Sequence, residues 1–208
     1  MKCKPTVKDI FDFINSIAPF ENQCEWDNSG LVVGNPDAEV SKIGVVLDIT
    51  SDAVKYAKEN GIDLIISHHP VIFRPVKTFL ADDIPFMLAK SRISAICAHT
   101  SLDIAKGGVN DALAEALGFE NAIPLADSGE EAMVRIAETN EMTADELAKL
   151  VAEKLSTCVT VADGGKTIRK VAFCGGAGAE GGWQACHLGI PDVAVCQRRI
   201  QQEPCADL

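Results

Sequence analysis

Leu64-Ile65-Ile66-Ser67-His68-His69-Pro70 decides the fold and points to chemistry in the same seven residues. With Asp63 before it, the run is short, apolar and partly β-branched. It carries no helical spacing, so it reads as a strand buried on both faces. Pro70 stiffens the turn that follows and leaves two imidazoles where the strand stops. Ligands of open α/β sheets gather outside the carboxyl ends of the strands, so this is the edge at which a site belongs.

Outward from that strand the same unit recurs. Ile43 to Asp48 is a β-branched run, and Thr50 to Asn60 has helical spacing through Ala53, Val54 and Ala57 before Gly61 ends it. A helix over 84–91 and a strand over Ser94–Ala98 follow. Strands that alternate with helices predict an α/β fold, with a parallel sheet covered on both faces. Upstream, Thr6 and Asp9 form a capping box, and Val7, Ile10, Phe11, Ile14 and Ile17 make one apolar face up to Pro19. A turn-rich segment, Glu25 to Gly30, leads into a short strand at Leu31–Val33, which Gly34-Asn35-Pro36 terminates.

Downstream, a helix is expected over Asn110–Leu117, and Thr143 with Glu146 is a second capping box opening another. Strands are expected at Val159–Val161 and Ile168–Cys174, so the α/β pattern resumes in a second half. After about residue 181 it degrades. The expected organisation is a first α/β half over 1–125 and a second over 126–208, atypical from about 181.

Composition removes several classes of function. The formal charge is −11, with no sustained Lys/Arg run, which argues against a phosphate backbone as partner and so against nucleic acid. Nowhere do 18 consecutive apolar residues occur, and the N-terminus has no apolar core of signal-peptide length. The expectation is a cytoplasmic protein with no membrane contact. Eight cysteines lie scattered without C-x-x-C pairs, so idle thiols are expected rather than disulfides. Trp26 and Trp183 are read as packing residues in a chain with few aromatics.

His68 and His69 do not stand alone. His99-Thr100-Ser101-Leu102-Asp103 follows the second buried strand and adds an imidazole and a carboxylate at the same edge. Neighbouring side chains at a strand end point to different sides, so the adjacent histidines could contact two metals, or one could bind while the other orients substrate. Imidazole with carboxylate suits Zn, Fe or Mn rather than Mg or Ca. Gly176, Gly178 and Gly181 match G-x-G-x-x-G, but no convincing helix follows and no strand-ending acid lies about 20 residues on, so a glycine-rich turn is preferred to a dinucleotide site.

Several stretches in order resemble the NIF-three-like family, also named GTP cyclohydrolase 1 type 2 homologues. They are Trp26–Gly34, Leu47–Thr50, Leu64–Phe73, His99–Asp103, Gly107–Asp111 and Val171–Gly178. The resemblance implies a layered α/β subunit in a homohexameric ring and a divalent, dinuclear metal centre, two metals per subunit. Its first-half ligands correspond to His68, His69 and Asp103, and His99 to a neighbouring residue that supports those ligands from behind or faces substrate. From Gly181 the family's later elements, Gly-Glu-x-x-His-His-like and Gly-His-x-x-x-Glu, are not found, which predicts an incomplete second half with a truncated or frame-shifted tail. His187 and Glu203 are the substitutes available as ligands there. Two functions are expected from this: a metal-dependent hydrolase of a nucleotide-like or cyclic amide substrate, with the metals activating water, or a metal-binding scaffold that works through protein partners without turnover.

Overall fold

Two four-stranded sheets organise the chain. The computed structural model describes residues 4–127, 129–176 and 193–198. In chain order the elements are α1 (Val7–Ile17), β1 (Gly30–Val33), β2 (Ile43–Val46), α2 (Ser51–Glu59), β3 (Leu64–Ser67), α3 (Ile84–Ser91), β4 (Ser94–Cys97) and α4 (Thr100–Ile104). Then come α5 (Val109–Leu117), β5 (Ile123–Pro124), β6 (Arg135–Met142), α6 (Ala144–Leu155), β7 (Ile168–Gly175) and β8 (Val193–Arg198). The fold is mixed α/β. It divides into two compact units, Met1–Lys106 and Gly107–Leu208.

In the first unit the strand order is β1-β4-β3-β2. β2, β3 and β4 run parallel, Ile43 opposite Leu64 and Leu64 opposite Ser94, while β1 pairs antiparallel with β4. Both faces are covered, as the continuous apolar runs demand. On one side α1 lays Val7 and Ile14 against Leu64 and Ile96. On the other, Val54 and Ala57 of α2 and Leu88 of α3 pack with Ile65 and Ala95. Each fully buried aliphatic side chain of this kind is worth roughly 1.5–3 kcal/mol relative to exposure.

Helix α1 starts at the expected capping box. The Thr6 hydroxyl accepts from the Asp9 amide at 3.2 Å while the Asp9 carboxylate accepts from the Thr6 amide at 2.7 Å. Gly34, which ends β1, has φ +128 and lies against the next strand: a Cβ there would come within 2.8 Å of the Ser94 Cα. Only glycine tolerates both the dihedral and the approach.

The second unit has order β5-β6-β7-β8. β5, β6 and β7 form an antiparallel run, and β7 pairs parallel with β8 from Lys170–Val193 to Gly175–Arg198. Here the sequence reading needs correction. No strand forms at 159–161, where Val159 and Val161 are exposed, and Arg135–Met142 is a strand that a half-polar composition hid. A further strand, β8, lies inside the segment whose pattern reads as degraded. Helix α5 counts with this unit, its Ala114 and Leu117 packing on Val171 and Phe173, whereas the sequence reading ends the first half at 125. The guanidinium of buried Arg135 pairs with Asp111 and donates to the Ala132 carbonyl at 2.6 Å. Of the tail from Gly181, only 193–198 is described, so His187, Glu203 and Trp183 lie outside the described residues. So does the glycine-rich turn beyond Gly176, which closes β7 at φ +66.

Candidate metal centre

The parallel register of β2, β3 and β4 brings three strand ends to one edge. The ladder continues one step past β3, with the His68 amide donating to Val46 and the His69 amide to Leu47. Ser67 Oγ donates to the His69 carbonyl at 2.9 Å and tightens the turn. At the end of β4, the Ala98 amide donates to Ser67 and the chain turns through His99 into α4. The three rings meet: centroids lie 5.0 Å apart for His68 and His69, 5.1 Å for His68 and His99, and 5.6 Å for His69 and His99. One ring nitrogen from each lies within 4.8 Å of the others, a spacing that could hold a metal ion. Asp103 joins them from α4, its Oδ1 3.8 Å from His68 Nε2.

Each imidazole is pinned through the same nitrogen. His68 Nδ1 donates to the Ala98 carbonyl at 3.0 Å, His69 Nδ1 to Asp48 at 2.7 Å, and His99 Nδ1 to Asp27 at 2.9 Å. A carbonyl or carboxylate oxygen accepts, so the proton sits on Nδ1 and the lone pair on Nε2. Oxygen partners on the far nitrogen are the arrangement that orients metal-ligating histidines.

Burial sets the charge states. It pushes the His68 imidazole down, against the attraction of Asp103, and so favours the neutral ring that offers a lone pair. It pushes the Asp103 carboxyl up, against the pull of His68 and His99. Asp27 behaves differently. Burial would raise it, but bonds from His99, from the Thr100 hydroxyl and from the Asn28 amide outweigh burial and hold it well below the usual carboxylate range. Its Oδ2 also accepts from the Thr100 amide at 3.0 Å and the Ser29 hydroxyl at 2.9 Å. Asp27 therefore stays ionised and locks His99. Cys97, behind the site, donates its thiol to the His68 carbonyl, and burial pushes it up to about 12. Among the described cysteines, Cys97 and Cys158 are free thiols, as the scatter of the cysteines suggests.

All four residues singled out from the sequence, His68, His69, His99 and Asp103, are thus brought together within the first unit. His99 brings a ring nitrogen to the same cluster as the pair. Sequence reasoning missed Asp27 and Asp48, although Asp48 follows β2 as His69 follows β3 and a third strand end was the available signal. It also misplaced Trp26. That side chain is 46% exposed, lying 5.7 Å from the Phe73 ring and 6.0 Å from the His99 ring, because its loop is held by Asp27 at the site edge and not by the core.

Comparison with known proteins is specific. Residues 5–193 match the Duf34/NIF3 (NGG1p interacting factor 3) family. A GTP cyclohydrolase 1 type 2 homolog of Clostridium perfringens is 36% identical over 184 residues, 84% of this chain and 70% of that protein. One of Methanocaldococcus jannaschii is 41% identical over 125 residues, and the match spans 59% of this chain and 51% of that protein. Among solved structures, a hypothetical protein of Staphylococcus aureus has a TM-score of 0.80 at 26% identity, covering 96% of this chain and 81% of its own. Reduced HcgD from Methanocaldococcus jannaschii has a TM-score of 0.70 at 31% identity, covering 88% and 75%.

Proposed function

Since the chain belongs to the Duf34/NIF3 family, we propose that His68, His69 and Asp103 hold a divalent transition metal, with His99 facing the same space. The observation that carries this is the common pinning of all three rings through Nδ1, which leaves three Nε2 lone pairs at one strand edge. The donors fit such a cation: neutral imidazoles and one carboxylate suit Zn, Fe or Mn. The chemistry implied is hydrolysis, to which a bound cation supplies Lewis acidity. In that reaction Asp27 and Asp48 keep the imidazoles oriented, and Asp103 supplies negative charge at the edge of the site. The names of the Clostridium and Methanocaldococcus relatives, GTP cyclohydrolase 1 type 2 homologs, bring a nucleotide-like or cyclic amide substrate into the proposal. By the same resemblance it extends to two cations per subunit in a cytoplasmic homohexamer. Among the described residues no helix is long and apolar enough to cross a membrane.

Elemental analysis of freshly purified protein tests the reading. Wild type is expected to carry about two cations per subunit, and His68→Ala/His69→Ala to lose them with unchanged far-ultraviolet circular dichroism, its affinity for Zn falling by more than about 100-fold, beyond what an orienting residue costs. A double variant that keeps its metal would place the site elsewhere. Tight metal without turnover on cyclic amides would favour the scaffold reading over the hydrolase.

A further inference from the structure

Two large aromatic side chains stand half out of the protein beside the histidines, Trp26 at 46% and Phe73 at 45% exposure. Their rings are tilted 54° to one another, and each meets His99 edge-on, at 6.0 Å and 6.4 Å between centroids. Neither sits on a loose loop. Asn28 Nδ2 donates to the Ile72 carbonyl at 2.6 Å and ties the two loops together. Asp27, next to Trp26, is bound by His99 and Thr100. A single exposed apolar residue calls for no explanation. Two aromatics locked in place and opening onto a cluster of imidazoles do, because the protein forgoes their burial at the one edge where a ligand would sit.

We propose that Trp26 and Phe73 form a stacking wall that receives a flat nitrogen-heteroaromatic ring of the substrate and turns its edge toward His68, His69 and His99. The proposal rests on the reading of that edge as the reactive site. A flat ring stacks on an indole or phenyl face whatever its substituents. Its ring nitrogens and carbonyl oxygens then lie at the periphery, where polar groups can meet them. An apolar protein surface laid on the same wall would desolvate the imidazole edges without offering them a partner.

The test uses the full chain with Trp183→Phe. The protein has two tryptophans, so Trp26 becomes its sole indole emitter. Guanosine, adenosine and nicotinamide serve as flat-ring probes, and ribose 5-phosphate as the control without one. Saturable quenching by the flat probes and not by the sugar phosphate is expected. Calorimetric affinity should fall about tenfold in Trp26→Ala and by less than about threefold in Trp26→Phe, which keeps a flat ring. The metal content of both variants should match the parent. Absence of saturable quenching by every flat probe, equal affinity in Trp26→Ala, or equal binding of ribose 5-phosphate would each overturn the wall. If sedimentation instead shows that Trp26→Ala dissociates an oligomer while no probe binds, the rings belong to a contact between copies and the proposal falls. Metal missing from the wild-type protein together with Trp26-dependent quenching removes the metal reading and leaves the wall standing. Metal present without quenching removes the wall alone.

Discussion

Both units hold a four-stranded sheet, but among the described residues only the first gathers metal-ligating side chains at its strand ends. The difference lies in strand direction. β2, β3 and β4 are parallel, so Asp48, His68 and His99, each just past a strand end, arrive at one edge. In the second unit β6 and β7 are antiparallel, and the ends of consecutive strands fall on opposite edges. Polar groups are spent differently there. Arg135 is buried to pair with Asp111, and the Asn110 side chain accepts from the Gly175 amide at 2.7 Å. The first unit leaves three imidazole rings together at one sheet edge, and the second pairs its buried Arg135 internally.

The contrast can be broken from either side. Asp111→Ala takes the carboxylate partner from a guanidinium that is 1% exposed, and should lower stability by about 3 kcal/mol in urea unfolding. Its metal content, measured below the transition, should stay at the wild-type level; a loss of metal would mean that the second unit supports the site. Gly34→Ala places a Cβ against the backbone of β4 at a dihedral that L-residues avoid, and should cost about 2 kcal/mol. A neutral result in thermal melts would show that β1 can shift away.

Asp48→Asn sharpens the comparison more gently. It keeps the shape but lets the amide flip, so the His69 tautomer is no longer enforced, and zinc affinity by competition titration should weaken about tenfold. An unchanged affinity would remove Asp48 from the orienting role. The smallest effect uses a device both units share. Thr6→Ala and Thr143→Ala each delete an N-cap and should cost about 1 kcal/mol, equally in the two units. The partner carboxylates Asp9 and Glu146 are held below 3.8 and 4.5, first by the backbone amides of Thr6 and Thr143 and then by their hydroxyls. Their folded pKa is lowered, so their contribution is complete above the unfolded value and is lost as pH falls through the folded one. Acid titration of helicity should show this loss in the parent, and less of it in each threonine variant.

Legibility followed the locality of the forces. Helices α1 and α6 were readable because caps and apolar spacing lie within a few residues of one another, and β3 and β4 because burial on both faces leaves an unbroken apolar run. β6 escaped, since Glu138, Thr139, Asn140 and Glu141 carry no such run; its pairing with β7 is what makes it a strand. Val159–Val161 misled for the converse reason, having β propensity but no partner strand among the described residues.

The sequence by itself determined the α/β class, the family and the candidate donors His68, His69 and Asp103 with His99 beside them, because these reside in short motifs at strand ends whose chemistry does not depend on distant residues. Only the tertiary structure decided which groups hold those donors and what surrounds them. Asp27 lies 72 positions from His99, Asp48 lies 21 from His69, and Trp26 meets Phe73 across two loops. Hydrogen bonds and ring contacts of this range act only once the parallel sheet has brought its strand ends together, so no local pattern in the chain records them.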